Sequence, residues 1–123
     1  MRYEFDQLKR TLAESRAEKN VHLVLHGALL CRLFTGAHAT CCKSGKDRTS
    51  MGVTLEETRM LCDELRVVGG RKACKNIRRF GVRRDNVRLN TGQTKYAFNH
   101  TQTKFLPICF RPPGGTHGGG VVT

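Results

Sequence analysis

Apolar positions recur every three to four residues between 5 and 19, at Phe5, Leu8 and Leu12, with charged residues between them. That spacing predicts an amphipathic helix ended by Asn20. The pattern then shortens. "VHLVLHG" (21–27) alternates and reads as a short strand closed by Gly27. "ALLCRLF" (28–34) fits a strand or a helix, and "AHATCC" (37–42) reads as a second strand. From residue 51 a helical period returns: Met51, Leu55, Thr58, Cys62 and Leu65 share one face, with Glu56, Glu57, Arg59, Asp63 and Glu64 left to water, and Gly69-Gly70 as a stop signal. Residues 43–50 therefore link a strand to a helix. "TKYAFN" (94–99) and "TKFLPICF" (103–110) supply aromatic anchors for a core. The expectation is an α/β domain over residues 1–110, with a short central sheet and one strand–loop–helix unit. "RPPGGTHGGGVVT" (111–123) is expected to be a flexible tail.

Composition narrows the partners. The 123 residues suit one modest domain, and 22 Lys and Arg against 10 Asp and Glu leave a formal charge of +12. Such an excess favours a polyanion: nucleic acid, an anionic membrane surface or a phosphorylated substrate. The stretch "CKNIRRFGVRR" (74–84) sits in the most basic region, and the arginines from 78 to 88 read as a solvated face, or as a surface drawn to anionic lipid. Six cysteines permit a disulfide framework, yet the first twenty residues hold no apolar signal segment, so free thiols of a reducing compartment are expected. No CxxC occurs, and His38 with Cys41 makes a poor ligand pair, so no metal is expected. No apolar run is long enough to span a membrane.

The chemistry concentrates in "TCCKSGKDRT" (40–49). A loop between strand and helix leaves backbone N–H groups without acceptors, and Gly45 lets them converge on a tetrahedral oxyanion. The dipole of the following helix favours that anion. Arg48 offers a planar fork for two phosphoryl oxygens, and Lys43 and Lys46 add charge. The same field favours the thiolate of Cys42, which would then act as a nucleophile on phosphorus. A nucleotide-binding P-loop does not fit: Thr40 stands at its first glycine and Asp47 at its hydroxyl position. Two readings stay open beside catalysis. In one, the cations form a solvated nucleic-acid patch; in the other, Cys42 is a buried strand residue and Arg48 a surface residue at a helix start.

"CKSGKDRT" (42–49) resembles the C-x5-R-[ST] signature of the cysteine-dependent phosphatases. With Ser50-Met51 and "VTLEE" (53–57) it is similar, more narrowly, to the inositol polyphosphate 4-phosphatases. "RRDN" (83–86), "KYAFN" (95–99) and "RPPGGTHG" (111–118) extend the resemblance in order along the chain. It implies removal of the D4 phosphate from phosphatidylinositol 3,4-bisphosphate without a metal or other cofactor. Cys42 would be the nucleophile and Arg48 the phosphate binder, while Lys43, Ser44, Gly45, Lys46 and Thr49 would form the substrate-binding set. It also implies a cytoplasmic enzyme resting on an anionic membrane, with no nucleic-acid partner, and a chain that is the C-terminal part of a larger enzyme. Relatives in the superfamily take a general acid from a loop upstream of the signature; the residues before Cys42 offer only Glu4, Asp6, Glu14 and Glu18, in no recognisable acid loop. Asp47 is then the candidate acid, against a reading as a carboxylate that favours the helix N-terminus. Thr49 and Ser50 read first as helix caps, with the Thr49 hydroxyl available to assist sulfur. The alternative function is an inactive basic chain that binds anionic lipid or nucleic acid.

Overall fold

The computed structural model describes residues 2–15, 20–43 and 45–118. The chain divides into two compact units, Met1–Ala39 and Thr40–Thr123. The first is a helical pair, α1 (Arg2–Glu14) packed on α2 (Val21–Leu33). The second holds α3 (Asp47–Asp63), α4 (Gly70–Phe80), α5 (Val82–Thr91), the short α6 (His100–Phe105) and a 3-10 turn at Ile108–Phe110.

The expected α/β architecture does not form. Among the described residues the structure is helical, and its one β-type pairing is an isolated parallel bridge between Tyr96 and His117. The predicted strand "VHLVLHG" is the first half of α2. Asn20 starts this helix rather than ending the one before: its side chain accepts a hydrogen bond from the His22 N–H at 2.9 Å. The leucine-rich stretch that follows is helix-forming, and Gly27 is carried inside α2. "AHATCC" has no regular structure, so no second strand exists to satisfy the backbone of a first. Residues 16–19 of the predicted first helix lie outside the described residues.

In the second unit α3 is central, touching α4, α5 and the 3-10 turn. Met51, Val87, Tyr96 and Phe98 form the core, with Leu106 and Phe110 packed on it. The aromatic anchors expected at 94–99 are therefore buried, whereas Phe105 is exposed. A second face of α3 is polar and buried. The hydroxyls of Ser50, Thr54 and Thr58 donate to the carbonyls of Lys46, Ser50 and Thr54, at 2.8, 2.7 and 2.7 Å. This back-bonding satisfies each hydroxyl within the helix and keeps the face narrow. At the end of that face α4 comes close: a methyl group added to Gly70 would lie 2.8 Å from Cys62 Sγ. The Gly69-Gly70 stop thus opens α4, while α3 ends at Asp63 and leaves Leu65 exposed.

Arg78 corrects the reading of the basic stretch as a solvated face. It is 3% exposed, and its guanidinium donates to Thr54 Oγ1, Met51 O, Cys109 O and Arg111 O at 2.7–2.9 Å. Burial pushes its pKa down from the ordinary value, partly countered by Cys74, Tyr96 and Cys109. These bonds tie α4 to the middle of α3 and to the chain after the 3-10 turn. The Tyr96 hydroxyl donates to Arg78 O at 2.9 Å and joins the core to the same junction. Within the stretch read as a flexible tail, Pro112, Pro113 and Thr116 are buried; residues 119–123 lie outside the described residues.

Candidate functional site

The signature loop enters α3 without a regular strand before it. Gly45 adopts φ +64°, and its N–H donates to Cys42 O at 3.1 Å, so the chain reverses directly after the cysteine. Lys46 is the residue before the first turn, with no side-chain cap. The Ser50 N–H to Lys46 O bond of 2.9 Å is the first full helical bond, which leaves the N–H groups of Asp47, Arg48 and Thr49 without intrahelical acceptors. Thr49, Ser50 and Met51 are buried and fix this turn in place.

Thr49 and Ser50 are thus not caps, because they lie inside α3. Ser50 back-bonds to Lys46, while the Thr49 hydroxyl donates to Cys42 Sγ at 3.1 Å. That contact brings two predicted residues together across seven positions of sequence. It directs a hydrogen-bond donor and the positive end of a helix at one half-buried sulfur. Cys41 next to it is exposed.

Asp47 begins α3 and is half-buried. Its Oδ2 accepts the Ala97 N–H at 3.1 Å, across fifty positions of sequence. Burial raises its pKa from the ordinary value; the Ala97 bond and the nearby Lys46 charge act in the opposite sense. The carboxyl therefore holds a proton to higher pH than an exposed aspartate, as a general acid requires.

Arg48, Lys43 and Gly45 are exposed, and Lys46 is half-buried. Among the described residues the Arg48 guanidinium makes no hydrogen bond or ion pair with protein, so its fork is open to solvent. Ser44 lies outside the described residues. No group of three metal-ligating side chains occurs among the described residues, and no helix there is long and apolar enough to cross a membrane. Sequence reasoning missed the Ala97 anchor. Its donor is a backbone N–H, which leaves no mark in residue identity.

Comparison with known proteins is consistent with these blocks. Residues 4–110 match the family model described as the INPP4A C-terminal domain. A rat protein named type II inositol 3,4-bisphosphate 4-phosphatase is 43% identical over 107 residues, which are 85% of this chain and 12% of the relative. A human protein named inositol polyphosphate 4-phosphatase type II is 44% identical over the same length and coverage. The chain thus spans 12% of the length of these curated relatives. No solved structure matches it.

Proposed function

Since the chain belongs to the family of INPP4A C-terminal domains, we propose that it carries the nucleophile and phosphate cradle of a phosphoinositide phosphatase. The proposed reaction removes the D4 phosphate of phosphatidylinositol 3,4-bisphosphate. The observation that supports this reading most is the 3.1 Å bond from Thr49 Oγ1 to Cys42 Sγ at the start of α3.

In the proposed mechanism the Cys42 thiolate attacks phosphorus, forming the S–P bond as the bond to the inositol oxygen breaks. The departing oxygen takes the proton of Asp47. The open N–H groups of the first turn and the Arg48 fork hold the charge on the equatorial oxygens. Water then attacks phosphorus, the S–P bond breaks, inorganic phosphate leaves, and the proton lost by water returns to the Asp47 carboxylate. Thr49 stabilises the sulfur anion in both steps. Lys43, Gly45 and Lys46 line the same cradle. No cofactor takes part. The substrate would lie in an anionic leaflet, with the protein cytoplasmic and peripheral.

A rapid acid quench during turnover, followed by peptide mass spectrometry, tests the reading: a phosphoryl adduct on Cys42 is expected. Turnover without any such adduct, or an adduct on another cysteine, would contradict it.

A further inference from the structure

The segment from Lys95 to Asn99 is built as a strap beside the signature loop. Tyr96 and Phe98 are 1% and 8% exposed and enter the core, so this stretch alternates like a strand. Its two edges are both occupied. On one, Tyr96 N donates to Thr116 O at 2.8 Å and Phe98 O accepts the Gly118 N–H at 3.0 Å. On the other, Ala97 N donates to Asp47 Oδ2 at 3.1 Å. The bond pattern holds the strap at the turn that also carries Thr49, whose hydroxyl touches the Cys42 sulfur.

Alternation puts Lys95, Ala97 and Asn99 on the face turned away from the core. Ala97 has no polar side chain. Asn99 is committed, since its side chain accepts the Gln102 N–H at 2.7 Å in the capping box of α6. Lys95 is exposed, and among the described residues its ammonium has no carboxylate or hydrogen-bond partner. Lys95 lies two residues from Ala97, within about 7 Å along the chain, and its four-carbon stem extends the reach of the charge.

We propose that Lys95 binds the phosphate neighbouring the one that is hydrolysed, so that the strap sets the preference for a vicinal bisphosphate over a monophosphate. The inference rests on the phosphatase reading above. The loop supplies charge for the reacting phosphate, whereas Lys95 belongs to a strap that the Ala97–Asp47 bond ties to the start of α3. Asp47 then acts also as a positioning residue, joining the reacting site to the site of recognition.

The test is calorimetric binding of inositol 3,4-bisphosphate and inositol 4-monophosphate to the Cys42→Ser chain, with and without Lys95→Gln. Lys75→Gln on α4 serves as the charge-matched control, and turnover of the unsubstituted chain is measured alongside. Lys95→Gln is expected to cut the bisphosphate-to-monophosphate affinity ratio roughly tenfold, while Lys75→Gln leaves that ratio unchanged. An unchanged ratio in Lys95→Gln, or an equal drop in Lys75→Gln, overturns the inference. A selective drop in a chain that shows no turnover supports Lys95 as a phosphate reader and contradicts only the catalytic reading. Failure of the folded chain to bind either headgroup overturns both.

Discussion

The Thr49 hydroxyl donates to Cys42 Sγ across 3.1 Å, which gives the sulfur a hydrogen-bond donor from within the helix whose N-terminus faces it. A donor so placed favours the thiolate over the thiol, and favours sulfur as a leaving group when the cysteinyl-phosphate is hydrolysed. Thr49→Val keeps the shape of a buried residue and removes the donor. It is expected to lower kcat roughly 10- to 100-fold, with a larger loss in the hydrolysis step than in the first attack. Burst kinetics with an aryl phosphate read this directly: the burst should persist and the steady rate fall. An unchanged steady rate would mean that the hydroxyl serves packing alone.

Cys42 should react as a thiolate at lower pH than its neighbour Cys41. The two are adjacent in sequence, and Cys41 is the more exposed, so accessibility favours Cys41 while the helix end and Thr49 favour Cys42. The pH dependence of alkylation, assigned by mass spectrometry, separates these effects. Cys42 is expected to modify faster below neutral pH. Equal profiles, or a faster Cys41, would remove the activated-sulfur argument.

Asp47 carries a pH prediction with a definite sign. Its folded pKa is raised, so the native state binds the proton more tightly than the unfolded chain does. Stability linked to this group is therefore greatest at low pH and is lost as pH rises from the ordinary carboxylate range through the folded value. Asp47→Asn still offers an oxygen to Ala97 but cannot titrate. Its melting temperature relative to the parent should rise across that window. A relative fall with rising pH would show that the carboxylate is stabilised as the anion and would argue against its role as an acid. On the activity side, the substitution should slow a phosphoinositide far more than para-nitrophenyl phosphate, whose leaving group scarcely needs a proton.

The helical elements and the signature loop were unequally legible in the sequence. The helix after the loop and the burial of Met51 and Thr58 follow from spacing, and the aromatic block at 94–99 announces the core residues Tyr96 and Phe98, whereas Leu65 of the expected face is exposed. The α2 helix did not, because "VHLVLHG" satisfies a period of two as readily as a helical one over so few residues, and only Asn20, read as an end, held the cap that decides it. The junction at Arg78 was hidden for a different reason. An arginine among arginines reads as surface, and its acceptors are one threonine hydroxyl and three backbone carbonyls, Cys109 and Arg111 lying more than thirty residues away. Carbonyls leave no trace in residue identity. The Ala97 anchor of Asp47 was hidden for a like cause, because its donor is a backbone N–H that every residue but proline carries.

Arg78→Lys should destabilise the second unit by about 3 kcal/mol, although it conserves charge. One ammonium cannot reach four acceptors arranged around a planar fork, and its greater hydration makes burial costlier. Chemical denaturation followed by circular dichroism measures this, and a loss below about 0.5 kcal/mol would show that the Arg78 network contributes little.

Arg48→Lys tests geometry rather than charge in the cradle. A loss of about a hundredfold in kcat, with KM little changed, is expected if the fork grips the phosphoryl oxygens chiefly in the transition state. A kcat near that of the parent would leave Arg48 as a surface cation.

The most direct test of the central claim is phosphate release by the purified, folded chain from vesicles containing phosphatidylinositol 3,4-bisphosphate, with Cys42→Ser alongside. The account predicts release of the D4 phosphate by the parent chain and none by Cys42→Ser at equal vesicle binding. Equal release by both proteins would contradict the role of Cys42, and vesicle binding without release by either would leave an anion-binding chain in place of an enzyme.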